Sequence, residues 1–424
     1  MQGYIALVKV KRSVDSVKNI FRTVLKMYYL GIDIAKNTNV ASLIDENGKV
    51  LVRAAKFENS ASGVEKLLER ISSICQDTEE IAVSMEATGH YWLGVYSALT
   101  DKNFSISVFN PYQIKSFRGA YTNRNQKNDA SDSVLIAQYL RVFGSSDTIL
   151  PQDDLLSLKQ LTRFRTHMVE QITALKNTVI GLLDKVFPEY HKAFSDVFGV
   201  TSKQILLNCP TPEDIIKINS KKLLNIISKN SKGKLGKPTA DTLKSLAKSS
   251  FGVKITVDAC SFEIKQIVNQ IIFIESQVDE LNGKIKQIYD SLDSHLKSIP
   301  GIGSTLAPVI LAEIGDINNF DRPSKLLAFA GIDPSENQSG EKSSTNEKTS
   351  KRGSPYLRHA IYTAALVAMS NDDTLRAYYD KKINEGKHHF VAMAGISRKL
   401  ITIIFHVLKE KRDYIPYSVK SIKI

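Results

Sequence analysis

Four acidic residues stand where a carboxylate is costly without a cation beside it. Asp33 closes the apolar run Leu30-Gly31-Ile32-Asp33, and Glu86 closes Ile81-Ala82-Val83-Ser84-Met85-Glu86. Asp129 and Asp132, in Lys127-Asn128-Asp129-Ala130-Ser131-Asp132, are three apart at the start of a helical stretch, so both can face one point. Hard carboxylate oxygens hold magnesium, and phosphodiester chemistry uses such ions to activate an attacking oxygen and stabilise a leaving one. Each acid taken singly also has a structural reading: turn capping for Asp33 and Glu86, helix capping and first-turn charge for Asp129 and Asp132.

A second group lies far downstream. A polar tract from Ser335 to Lys351 carries serines at 335, 339, 343, 344 and 350, and is followed by Arg352, Gly353, Tyr356, Leu357 and Arg358. Basic side chains beside a serine-bearing loop suit a phosphate held near a hydroxyl nucleophile. Spacing alone does not select the serine. Just upstream, Ile299-Pro300-Gly301-Ile302-Gly303 before the apolar stretch Ala307 to Ile314 reads as a helix-hairpin-helix, whose glycines Gly301 and Gly303 let backbone amides approach a DNA phosphate. A plain helix-to-helix turn is the competing reading.

The elements that must position these residues follow from periodicity. Tyr28 to Asp33, Val40 to Ile44 and Val50 to Phe57 read as strands joined by short connections, with a turn at Asp45-Glu46-Asn47-Gly48, so they are antiparallel neighbours. A helix from Gly63 to Cys75 leads to a strand at Ile81 to Met85, and a helix from Tyr91 to Leu99 to a strand at Phe104 to Phe109. The order βββαβαβ is that of the ribonuclease H fold. It puts the ends of the first and fourth strands side by side, where open α/β sheets present ligand-binding residues. Beyond Asp129 the strands vanish. Long helices are expected at Leu155 to Val186 and Ser261 to Leu292, paired antiparallel, the second with Ile264, Ile267, Val268, Ile271, Ile274, Val278, Leu281, Ile285 and Ile288 at coiled-coil spacing. Residues 190–260, polar and broken by Pro210, Pro212 and Gly233 to Pro238, are expected to form short helices and an exposed loop.

Composition sets the limits. The 424 residues suffice for two or three domains, and 42% hydrophobic residues exclude wholesale disorder. With 57 basic and 44 acidic side chains the net charge is +13, which points to a polyanion; the segment from Arg322 to Ile424, with 18 basic and 10 acidic residues, holds +8 of it. Cys75, Cys209 and Cys260 are too scattered for a disulfide framework or a zinc cluster. No stretch reads as a membrane span or secretory signal, so a soluble cytoplasmic protein with no membrane partner is expected. Met27 precedes the first strand, and residues 1–26 read as a dispensable extension.

The combination resembles the DEDD transposases of bacterial insertion sequences, the family whose recombinases use a bridge RNA. The resemblance rests on Tyr29-Leu30-Gly31-Ile32-Asp33-Ile34-Ala35-Lys36, Glu86-Ala87-Thr88-Gly89, Asn128-Asp129-Ala130-Ser131-Asp132, Ile299-Pro300-Gly301-Ile302-Gly303, Phe329-Ala330-Gly331, Ser339-Gly340 and Ser350-Lys351-Arg352-Gly353, and covers nearly everything after Met27. It implies a RuvC-like domain over 27–150 with Asp33, Glu86, Asp129 and Asp132 as a magnesium-binding tetrad. A coiled-coil domain for assembly follows over 151–297, and a mostly helical transposase domain over 298–424, with Ser339 as nucleophile. Gly301, Gly303, Lys351, Arg352 and Arg358 are then the nucleic-acid contacts. Partners implied are double-stranded donor and target DNA, a structured non-coding guide RNA and further copies of the chain, as a dimer or tetramer. Two other readings use the same residues differently: a RuvC-like nuclease or junction resolvase with water as nucleophile, and a non-catalytic basic coiled-coil DNA-binding protein.

Overall fold

The computed structural model describes residues 28–121, 129–144, 148, 153–333, 338–339, 342–343 and 349–416. The proposed extension, residues 1–26, lies outside them, as do Lys127, Asn128, Ser335, Gly340 and Ser344 of the motifs. The chain forms two compact units, one ending at Leu150 and the other beginning at Pro151.

In the first unit, β1 (Tyr28–Asp33), β2 (Thr38–Asp45) and β3 (Val50–Glu58) form an antiparallel meander. The turn between β2 and β3 is set by Asp45, whose carboxylate accepts from the amides of Asn47 and Lys49, and by Gly48 at φ +83°. Helix α1 (Ala61–Ser72), capped by Ser60, crosses to β4 (Ile81–Glu86), and α2 (Trp92–Thr100) to β5 (Ser105–Phe109). The sheet order is β3-β2-β1-β4-β5, with β4 parallel to β1 and β5 parallel to β4. This mixed sheet is consistent with the ribonuclease H-like order read from the sequence. Helices α3 (Pro111–Tyr121) and α4 (Asp129–Phe143) follow.

The second unit is helical apart from one small hairpin. Helix α5 (Asp153–Val186) is followed by α6 (Val200–Asn208), α7 (Pro212–Lys217), α8 (Ser220–Asn230) and α9 (Lys237–Lys248). These are the short helices expected over residues 190–260, and Tyr190, Ile205, Leu206, Ile215, Leu223, Ile227 and Leu243 are all buried in the same core as the long helices. Helix α10 (Val257–Ser291) packs along α5. Arg165 Nε donates to Asn282 Oδ1 at 2.6 Å and Lys176 pairs with Glu275, so the two helices run antiparallel. Ile264, Val268, Ile271, Val278, Leu281 and Ile285 are buried in this contact, as the spacing predicted. The seam is thereby covered within one chain. This is the antiparallel pairing expected of the two long helices.

The remaining elements are α11 (Leu306–Ile314), α12 (Pro323–Ala330), the hairpin β6 (Gln338–Ser339) and β7 (Lys342–Ser343), α13 (Pro355–Asn371), α14 (Asp373–Asn384) and α15 (His389–Glu410). By length and composition α15 is apolar enough to cross a membrane. Here its apolar face serves the core: Met393, Ile396, Leu400 and Ile404 are fully buried.

Candidate nucleic-acid processing site

A row of small residues crosses the sheet. Ser42 on β2 pairs with Gly31 on β1, Gly31 with Ser84 on β4, and Ser84 with Ser107 on β5. Helix α4 lies directly on this row: a Cβ at Gly31 would stand 2.2 Å from Ser133 O and 2.3 Å from Ala137 N. Ser42 Oγ and Ser133 Oγ share a hydrogen bond of 2.8 Å, and Ser84 Oγ donates to Ile136 O at 3.2 Å. The missing side chain of Gly31 thus sets how closely the first turns of α4 approach the end of β1.

Successive strand residues alternate faces, so Asp33 shares the helix-covered face with Gly31, and Glu86 shares it with Ser84. The parallel register Ile32↔Met85 sets the next pair, Asp33 and Glu86, level at neighbouring strand ends. Asp132, in the first turn of α4, is buried, while Asp129 is exposed one turn earlier. Sequence reasoning missed Arg118 on α3, whose Nη1 lies 2.6 Å from Asp132 Oδ1. The hydrogen bond that Arg118 donates to Asp132 pushes its guanidinium up against the opposing effect of burial, and the charges of Asp132, Glu86 and Asp33 add to the rise. Three of the four acids therefore act on one cationic head. Among the described residues no group of three or more acidic, histidine or cysteine side chains is gathered to hold a metal ion. Even so, the donor chemistry of Asp33, Glu86 and Asp132, hard oxygens around a cationic head, fits a divalent cation. A hint of Arg118 was available: a basic residue in the helix just before the Asp129–Asp132 pair.

In the second unit, backbone packing joins Gly331 and Gly353. A Cβ at Gly353 would meet Phe329 O at 1.8 Å, and one at Gly331 would meet Gly353 N at 2.7 Å. Gly331 has φ +67°, and Lys351, at φ +53°, donates its amide to Gly331 O. The Ser350 amide donates to Asp333 O at 2.9 Å, and its hydroxyl donates to the Asp333 carboxylate. These contacts form a clasp between residues 329–333 and 350–353. Arg358 Nη1 donates to Ala330 O and Gly353 O, each at 3.4 Å, bracing the clasp. Lys351 and Arg352 are exposed on it. Ser339 ends β6 and pairs with Lys342 of β7, placing it at the turn of the hairpin.

Behind the clasp is a network that no sequence pattern announced. Glu313 on α11 is buried and receives Arg163 Nε at 2.6 Å, Arg163 Nη2 at 2.9 Å and Ser354 Oγ at 2.8 Å, with Lys159 Nζ at 3.8 Å. Burial alone pushes the Glu313 carboxyl up, but hydrogen bonds from Arg163 and Ser354 and the Lys159 charge outweigh it and hold the group below the ordinary range. Arg163 also stacks on Tyr356, 4.8 Å from the ring centroid. Ser354 caps α13, accepting from the Leu357 amide. The network ties α5 and α11 to the residue that follows the Ser350–Gly353 stretch.

The glycines of the hairpin-like turn divide in role. Gly301, at φ +84°, abuts α13: a Cβ there would stand 2.4 Å from Ala364 O. Its lack of a side chain is accounted for by helix packing, so the sequence argument for phosphate approach at this residue loses its force. Gly303 is exposed, with nothing within 4 Å of a Cβ.

Residues 30–188 match the DEDD transposase family of IS110 type, and residues 293–380 match the transposase IS116/IS110/IS902 family, together more than half of the chain. The chain is similar to the uncharacterized 44.8 kDa protein of insertion element IS116 from Streptomyces clavuligerus, at 23% identity over 92% of this chain and 96% of that protein. It is 24% identical to the pilin gene-inverting protein of Moraxella bovis, over 91% and 97% of the two chains. It is also 24% identical to the transposase for insertion sequence element IS1111A of Coxiella burnetii, over 93% of each. With a five-stranded sheet that levels Asp33 with Glu86, a mostly helical remainder, and both family matches in sequence order, this chain belongs to the IS110 family of insertion-sequence transposases, enzymes that cut and rejoin DNA.

Proposed function

We propose that this transposase breaks and rejoins DNA through Ser339, with a divalent cation, magnesium, held by Asp33, Glu86, Asp129 and Asp132. Ser339 Oγ attacks phosphorus; the new O–P bond forms as the bond to the leaving sugar oxygen breaks, and that oxygen takes up a proton. Attack by a sugar hydroxyl on the phosphoserine reverses the exchange, so the energy of the phosphodiester is conserved and no nucleotide cofactor is consumed. When bound, the cation supplies charge stabilisation of the transferring phosphate. Lys351 and Arg352, exposed on the clasp, bind the backbone phosphates, joined by Arg358 and the amide of Gly303.

The observation that carries the choice of serine is the clasp. The Ser350 hydroxyl is engaged by Asp333, whereas Ser339 ends β6 of the hairpin. The pilin gene-inverting relatives support recombination by exchange rather than simple hydrolysis. A structured RNA that pairs with donor and target DNA, and assembly of two or four copies, complete the reading, with base pairing rather than side chains choosing the sequence. The site of action is the bacterial cytoplasm, at the nucleoid.

The test is a suicide DNA substrate that traps a covalent intermediate. The parent protein and Ser350→Ala are expected to give a denaturation-resistant protein–DNA adduct, and Ser339→Ala none. An adduct that survives Ser339→Ala but not Ser350→Ala moves the nucleophile to Ser350. Cleavage by the parent without any adduct makes water the nucleophile and the enzyme a metal-dependent nuclease.

A further inference from the structure

Beside the clasp, between α13 and α15, lies a cavity of about 400 Å³. From one face of α13 come Arg358, His359 and Tyr362, at spacings of one, three and four; from α15 come Phe390 and Ser397; Thr349 closes the end nearest the clasp. The volume lies within the roughly 300–1,000 Å³ of small-ligand sites. Phe390 is 64% exposed at the edge of this space, an apolar ring that the core does not use. The partners shown for Arg358 are the carbonyls of Ala330 and Gly353, so no carboxylate of the described residues neutralises it.

Flat aromatic faces, a guanidinium held by carbonyls among the described residues, and imidazole and hydroxyl donors in one cavity are complementary to a planar heterocycle carrying an anionic group. We infer that the cavity receives one unstacked nucleotide of a DNA strand, its base stacking on Phe390 or Tyr362 and its phosphate held by Arg358 with His359. The position favours a strand undergoing reaction: Thr349 lines the cavity and directly precedes Ser350-Lys351-Arg352 of the clasp. A base drawn out of its stack would hold the strand in place while the adjacent phosphodiester is exposed, as in enzymes that read or process single bases. This inference rests on the reading that the C-terminal unit meets the reacting DNA, and it is independent of which serine attacks.

The experiment uses the full chain and two duplexes of the same sequence, one fully paired and one with a short single-stranded gap bearing 5-iodo-2′-deoxyuridine. Irradiation of the gapped complex is expected to cross-link the peptide containing Tyr362 or Phe390. Phe390→Ala, at an exposed position that leaves the core intact, is expected to weaken binding of the gapped duplex roughly 5- to 100-fold, the range that stacking of one base carries, and to leave the paired duplex within twofold. Cross-links confined to other peptides, or equal effects on both duplexes, overturn the inference. Tighter binding of a gap filled with ribonucleotides overturns the assignment to DNA. Ser339→Ala, run alongside, separates the two readings: normal gap binding without an adduct in the parent protein defeats the serine mechanism alone, and a normal adduct with undiminished gap binding by Phe390→Ala defeats the cavity alone.

Discussion

Arg163→Met cuts the strongest arm of the network behind the clasp. The Glu313 side chain is 1% exposed, and the substitution removes its two shortest ion-pair contacts, at 2.6 and 2.9 Å. What remains is Lys159 Nζ at 3.8 Å and one hydroxyl from Ser354. Breaking a buried pair from one side costs about 3–5 kcal/mol, and because Arg163 is itself 42% exposed and Glu313 keeps two partners, this case lies at the lower figure. At roughly 2–4 °C per kcal/mol for a unit of this size, the expected fall in melting temperature is about 6–12 °C. Removing both charges, as Arg163→Met with Glu313→Met, is expected to recover most of the loss, because no buried carboxylate is left unpaired. The pH dependence has a defined sign. In the parent, Glu313 is depressed, so its stabilisation is present above the ordinary value of 4.5 and is lost as pH falls through the lower folded-state value. In Arg163→Met the carboxylate loses its main ally and burial acts on it more freely, so the deficit relative to the parent narrows when Glu313 is protonated at acid pH. Calorimetry from pH 4 to 7 reads all three quantities. A single variant that melts within about 2 °C of the parent, or a double variant no better than the single one, would refute the reasoning.

Two further outcomes concern the first unit. Gly31→Ala places a methyl group 2.2 Å from Ser133 O, a backbone atom that only a shift of α4 can relieve, so a loss of about 1–3 kcal/mol is expected, read as a lower melting temperature with impaired strand cleavage. Asp33→Ala and Glu86→Ala are each expected to abolish cleavage while leaving DNA affinity within a few fold, because they remove cation ligands rather than phosphate contacts; near-normal recombination by either in magnesium buffer dismisses the tetrad.

Much of the first unit was legible because its signals are local. Short apolar runs bounded by turn residues mark β1 to β5, short turns force the meander, and an acid ending each of two apolar strands marks Asp33 and Glu86. The α5–α10 pairing was legible for the same reason, since a stripe at spacings of three and four declares a buried face. Two such long helices declare an antiparallel pair, which α5 and α10 form. The short helices within residues 190–260 were legible too, but not their burial, because their apolar residues are spread thinly and bury only where α6 to α9 meet the long pair.

The sequence by itself determined the residue types that can bind a cation or attack a phosphate, and the strand order that levels Asp33 with Glu86. Only the tertiary structure decided that Arg118 sits on Asp132, that Gly301 is small for the sake of α13, that Gly331 and Gly353 close the serine loop, and that Glu313 gathers partners from α5 and the cap of α13. Each of these joins residues from separate elements, 150 positions apart in the case of Arg163 and Glu313. Periodicity reports the environment of a residue along its own helix or strand. The partner it meets is fixed by packing between elements, where the absence of one side chain or the burial of one charge decides which backbones approach.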